Sequence, residues 1–499
     1  MILSFSFFIV LFSSSHLTAQ KPFKNAYSVE SVVMPEGLAA QTGGMDFFPD
    51  GRMVACFIRG EVMVYELDSK KWSVFADGLQ SPLGIVAIND STVMVAQLSE
   101  ITKITDTDAD GRADLYENIS NEFGQSGNYH EFNYGPVKDK EGNIYFALNT
   151  ASSGGGIRSI LQGEFNPLGR DGISGHKQMF SVVPYRGWVM KVTPDGVTHP
   201  YASGLRSPNG IGFDLDENLF VTDNQSDWVE TSTLYHIKEG AFYGHPASLI
   251  WKQGWGNRDP FNMPINELDS MRTKAAVLFP QGIMANSPSQ PLVDNTGGKF
   301  GPFAGQIFVG EMNRDRVIRV MLEKVGGEFQ GACVPFMDGN GLRSGNNRLA
   351  FAPDGSLWIG QIKYGGWVGQ EGMQKIVFNQ EVPMEIQNMN LRSDGFELTF
   401  TQPINEQLAS NLENYKFRSY YYAYKKKDID EGIDISTQED LHNVDIKDII
   451  ISEDKKKVYI RLTELKAGYV YELKLNNIQN VNGQPLNNNL ICYTLNKLL

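Results

Sequence analysis

Phe48-Pro49-Asp50-Gly51-Arg52-Met53-Val54-Ala55 is a tight turn that delivers a short apolar strand, and the same outline returns five more times. The copies run from Ile88 to Val95, Asp139 to Phe146, Leu215 to Val221, Phe303 to Val309 and Ala352 to Ile359. A turn-and-strand unit recurring roughly every 40–90 residues cannot bury its apolar face alone, and radial stacking closes such units into a ring with only short, protected edges. Six copies predict six blades, and so an all-β, six-bladed β-propeller. Each copy continues into a second alternating segment: Glu61 to Tyr65, Glu100 to Ile104, Trp188 to Val192, Thr233 to Ile237, Arg316 to Val320 and Gly372 to Ile376. Alternation of apolar and polar residues marks these as half-buried outer strands.

At 499 residues the chain exceeds one ordinary core, and its 50 glycines and 11% aromatic content suit a turn-rich all-β protein with little helix. After Phe378 the Asp-Gly turns stop and Lys and Asn become frequent, which places a second domain over 381–499. Its segments Phe396 to Phe400, Val458 to Leu462 and Tyr469 to Leu475 alternate cleanly, and Asn482-Gly483 supplies a turn, so it reads as a small Ig-like β-sandwich resembling the modules on many exported proteins. Residues 1–19 read as a signal peptide, with an apolar run from Ile2 to Phe12 and a Leu17-Thr18-Ala19 end, leaving 20–380 for the propeller. The expectation is an exported protein, periplasmic, secreted or at the cell surface, without a later transmembrane segment. A net charge of −14 argues against a nucleic-acid partner, which would ask for a basic face. Three cysteines cannot staple the fold: a Cys56–Cys333 bridge is conceivable, and buried free thiols are the simpler expectation.

Two Gly-, Pro- and Asn-rich stretches, about 150–185 and 241–300, interrupt the blade rhythm and are expected to roof a pocket at one mouth of the ring. Asp106-x-Asp108-x-Asp110-Gly111-Arg112-x-Asp114-x-x-Glu117 fits a calcium loop, with carboxylates at alternate positions, the Arg112 carbonyl, Asp114 acting through water and a closing Glu117. Because a strand enters it, the loop is read as a structural calcium site and not as a helix-loop-helix sensor; a solvated acidic turn is the alternative. His130 precedes a buried strand and suits proton abstraction near neutral pH, although a lone histidine is more often structural. Arg206, in Gly204-Leu205-Arg206-Ser207-Pro208-Asn209-Gly210, offers a planar fork to a carboxylate or to an inter-blade salt bridge. Trp188, Trp228 and Trp367 are candidates for stacking on a sugar, with core packing as the alternative.

Taken together, these segments over roughly 35–380 resemble the glucose/sorbosone dehydrogenase family, soluble six-bladed propellers that carry pyrroloquinoline quinone. The chain is most similar to a divergent exported branch, marked by Lys299 to Gln306 and Gly365-Gly366-Trp367. The resemblance implies His130 as the catalytic base and Arg206, Asn209, Arg348, Arg314 and Gln97 as cofactor contacts. It also implies a second calcium at the mouth, held by Asp223, Asp227 and Tyr243. The chain departs from the family in lacking a Gly-Pro in the Asp223 loop and in placing Asn313-Arg314 where the family has a lysine. The implied reaction oxidises a sugar or polyol hydroxyl: His130 takes the proton, hydride passes to the quinone, and an external electron acceptor reoxidises it. Two other readings keep the propeller: a calcium-dependent hydrolase or lyase of sugar derivatives, and a non-catalytic carbohydrate-binding protein.

Overall fold

The computed structural model describes residues 25–170, 178–225, 227–363, 368–426 and 437–499. The 1–19 segment and Trp367 lie outside the described residues. Six four-stranded antiparallel units follow one another along the chain and form the blades. Blades I to V span 42–76, 85–120, 133–203, 208–279 and 288–336, and blade VI spans 346–378. Every predicted turn-strand becomes the second strand of its blade. The segments expected as outer strands are third strands instead, each covered by a fourth, which is why most of their residues are buried and not half-buried.

Closure is non-local. Blade VI supplies three strands, and its outermost strand comes from the N-terminal segment Tyr27–Ser31, antiparallel to Gly372–Phe378 with Tyr27 opposite Phe378. Tyr27 anchors the seam: its hydroxyl donates to the Phe300 carbonyl at 2.9 Å, and its ring lies within 5.3 Å of Phe300, Phe336 and Phe378. Around the axis the inner strands approach so closely that their glycine positions admit no side chain. A Cβ on Gly84 would stand 1.5 Å from the Gly135 carbonyl oxygen, and one on Gly210 would stand 2.3 Å from the Gln290 Cα. The resulting axial channel holds only about 30 Å³, room for about one water.

The residues after the propeller form two sheets. One has the order Ile386–Arg392, Gly395–Phe400, Lys457–Leu462, Ile446–Ile451, and the other Leu490–Leu495, Tyr469–Leu475, Tyr415–Tyr421, Glu439–Val444. In chain order this is ABED against GFCC′, the immunoglobulin arrangement. The last strand also pairs with the outermost strand of blade V, so the second sheet and that blade make one continuous eight-stranded sheet. At this joint Cys333 stands opposite Cys492, while Cys56 lies in blade I; all three are free, buried thiols, and the conceivable Cys56–Cys333 bridge does not form because the two sit in different blades. No helix among the described residues is long and apolar enough to cross a membrane.

Candidate functional site

Antiparallel blades send their second-to-third and fourth-to-first connections to the same end of the ring. At that end blades III to VI enclose a cleft of about 250 Å³ lined by His130, Tyr134, Arg206, Ser207, Asn209, Asn224, Gln225, Asn286, Ser287, Asn313 and Val368. Its walls are dominated by amides and hydroxyls, with one imidazole and one guanidinium.

His130 sits on the connection between blades II and III, held by its neighbours on both sides. The Asn128 side-chain oxygen accepts from the backbone N–H of His130 at 3.0 Å and from that of Ser152 at 3.0 Å. Buried Arg186 donates to the carbonyls of Gly124, Glu131 and Phe132, and buried Glu131 accepts from Ser126, so the loop has little freedom to move the ring. Imidazole Nδ1 lies 2.8 Å from the Thr150 carbonyl oxygen. That oxygen can only accept, so Nδ1 carries the proton and Nε2 keeps its lone pair. Nε2 faces the Ser207 hydroxyl at 3.3 Å, and that hydroxyl also accepts from the Asn149 side-chain amide at 3.2 Å. Burial, followed by the Arg206 charge, pushes the imidazole down to about 3, so the ring is neutral at physiological pH.

Arg206 and Ser207 belong to the turn that opens blade IV. Their backbone N–H groups both donate to the carboxylate of Asp223, at 2.9 and 2.6 Å. Thr150 ties this turn to the histidine: its N–H and hydroxyl donate to the Arg206 carbonyl while its own carbonyl receives His130. The Arg206 guanidinium lies 4.0 Å from the Met179 sulfur, and its buried Nε has no acceptor among the described residues. An arginine stays charged, and a buried donor without an acceptor is costly, so the cleft presents a site for an anionic oxygen.

Several expected site residues sit elsewhere. Arg348 lies below the cleft floor and lines the axial channel, its guanidinium donating to the carbonyls of Leu83 (2.8 Å), Asn209 (3.0 Å) and Asn347 (2.7 Å) and lying 5.0 Å over the Tyr134 ring. Its fork is used to tie blade VI to blades II and IV. Asn209 lines the cleft, as expected, with its carbonyl turned to Arg348. Gln97 is folded into its own turn, donating to Thr102 and accepting from Gln80 N–H, and does not line the cleft. Arg314 lines an adjoining cleft of about 460 Å³ that shares Asn313, and it donates to the Gly282 carbonyl.

Of the residues expected to hold a mouth calcium, Asp223 and Tyr243 line one narrow cavity with His245, and the side chains of all three expected ligands have protein partners. Asp223 is spent on the Arg206-Ser207 turn, where burial raises its carboxyl to about 6 despite the two N–H donors. Asp227 is buried against His245 Nε2 at 3.0 Å and the Met179 N–H at 2.9 Å. Tyr243 points into blade IV and donates to the His236 carbonyl. Neither Trp228 nor Trp188 offers a stacking face: both are buried, and the Trp188 indole donates to the Ser248 carbonyl. The predicted calcium loop lies on the third-to-fourth connection of blade II, at the opposite end of the ring from His130, and there Glu117 pairs with Lys103 at 2.9 Å while Asp114 accepts from Thr107. Sequence reasoning passed over Thr150 and Asn286. Amides and hydroxyls in long loops carry no spacing signal, so only the folded chain gathers them.

A family model described as "Domain of unknown function (DUF7133)" matches residues 67–364. No curated protein matches the chain. Among solved structures it is similar to the pyrroloquinoline quinone-bound aldose sugar dehydrogenase of Streptomyces coelicolor, with 15% identity, 72% of this chain and 99% of that chain covered, and a TM-score of 0.46. It is also similar to the apo soluble aldose sugar dehydrogenase of Escherichia coli (12% identity, 70% and 99% covered, TM-score 0.48). The quinone domain of pyranose dehydrogenase from Coprinopsis cinerea stands at 12% identity, 71% and 96% covered, and a TM-score of 0.48.

Proposed function

Because this chain belongs to the DUF7133 family, whose description assigns no activity, we propose its function from the cleft itself: oxidation of a sugar or polyol hydroxyl, with His130 as the base. The observation that carries this reading is a neutral imidazole with its lone pair turned into the same cleft as an arginine whose buried Nε has no acceptor among the described residues. Amide and hydroxyl groups from Asn224, Gln225, Asn286, Ser287 and Asn313 suit the many hydroxyls of a sugar.

The residues present fit a flat, carboxylate-bearing quinone at one end: Arg206 would take a carboxylate through its unsatisfied Nε, and Asn209 and Asn224 offer neighbouring polar contacts. They do not fit a calcium at the mouth, and none enters the proposal. A bound quinone would supply the hydride acceptor, to be reoxidised by an external electron acceptor. The chain's own work is to orient the substrate hydroxyl where Ser207 now meets Nε2, to take its proton on that nitrogen, and to keep water out of a small cleft. A free imidazole held near 3 is a weak base. An anion on Arg206 cancels the second cause of that depression, so occupancy of the cleft strengthens the base when it is needed.

One observation favours a second reading. The Ser207 hydroxyl facing His130 Nε2 at 3.3 Å has the disposition of a nucleophile and its base, as a hydrolase of lactones or sugar esters would require. The test is to load the purified chain with pyrroloquinoline quinone, offer aldoses and polyols with an artificial electron acceptor, and offer lactones to the unloaded chain in parallel. The dehydrogenase reading expects quinone-dependent acceptor reduction that Ser207→Ala lowers by less than tenfold. Quinone-independent lactone hydrolysis abolished by Ser207→Ala would replace it with the hydrolase.

A further inference from the structure

We propose that the Asp106 to Asp114 loop holds one hard divalent cation of the calcium class through Asp106, Asp108 and Asp110, and that Glu117 is not a ligand. One carboxylate oxygen from each of these three aspartates lies within 4.8 Å of the others. Asp106 is 8% exposed; its Oδ2 accepts from the Gly111 N–H at 2.9 Å, and its Oδ1 is buried with no partner among the described residues. A carboxylate oxygen shut off from both water and donors is expensive, and a cation between it and two further carboxylates removes that expense.

The ligand set follows from where the chain goes next. In a helix-bounded loop of this spacing the twelfth residue folds back to close the site. Here the chain enters the strand Leu115–Ser120 before reaching that position, and Glu117 lies across from Lys103, with Nζ at 2.9 Å. Asp114 braces the neck of the loop by accepting from both the N–H and the hydroxyl of Thr107. The remaining protein ligand that the spacing offers is the Arg112 carbonyl, with water completing the six to eight oxygens that calcium takes.

The loop also bridges two blades. Arg112 Nη2 is 2.6 Å from Asp77, and the Ala113 N–H donates to the Phe75 carbonyl, so ordering the loop ties blade II to the outer edge of blade I. Lying at the end of the ring away from His130, the cation locks adjacent blades and takes no part in the chemistry of the cleft.

Calorimetric titration of the chelator-stripped full chain with Ca²⁺ tests this. Asp108→Asn/Asp110→Asn changes two exposed side chains; it is expected to lose one equivalent of bound Ca²⁺, and Asp108→Asn alone to weaken that equivalent at least tenfold. Glu117→Gln is expected to keep its affinity within threefold. The proposal is overturned if the parent chain takes up no Ca²⁺, if the double variant keeps every equivalent, or if Glu117→Gln abolishes binding.

Discussion

Replacing Arg206 with Gln should raise the pH at which His130 titrates. Burial is the larger cause holding the imidazole at about 3, and the Arg206 charge is the next. Removing a positive neighbour favours the protonated ring, so the pKa rises; because burial stays, it remains below the ordinary 6.5. Two charges roughly 6–10 Å apart across one cleft, at an effective dielectric of about 20, interact by about 2–3 kcal/mol. That is about one to two pH units, which moves the midpoint to roughly 4–5. The assay is a pH titration of ¹³C-labelled histidine by NMR, with the His130 signal among the seven histidines identified from its absence in His130→Gln. Titrating the parent chain with a small carboxylate that occupies Arg206 should move the same signal in the same direction. A midpoint that stays put or falls in Arg206→Gln would refute the coupling, and with it the idea that an anion in the cleft strengthens the base.

Two stability predictions rest on residues outside the cleft. Arg348→Ala strands the buried carbonyls of Leu83, Asn209 and Asn347 and should cost roughly 1.5–3 kcal/mol, read as a lower urea midpoint, because each lost partner is a charge-assisted donor. Tyr27→Ala opens the seam among Phe300, Phe336 and Phe378 and should cost about 3–5 kcal/mol by the same measurement, with the N-terminal strand becoming the first site of proteolysis.

The blades were legible because their signals are local. An Asp-Gly or equivalent turn followed by alternating residues needs no partner to be recognised, and each quoted copy became a second strand. Pairing between distant segments leaves no such trace. Neither the Tyr27–Ser31 strand in blade VI nor the Cys333 and Cys492 register could be read from periodicity. His130 and Arg206 were legible for a related reason, since each sits on a connection entering an inner strand, where propeller loops gather. Asp223, Asp227 and Arg348 misled because residue type alone does not say how its valence is spent. Asp223 serves two backbone N–H groups, Asp227 serves His245, and Arg348 serves carbonyls from three separate stretches of chain.

The most direct test of the central claim is to measure quinone binding and substrate-dependent acceptor reduction side by side in the parent chain and in His130→Ala. If a neutral His130 is the base and Arg206 the anchor, His130→Ala binds pyrroloquinoline quinone as tightly as the parent while turnover falls about 10²–10⁴-fold. Turnover within fivefold of the parent, or a parent chain that binds no quinone at all, contradicts the account.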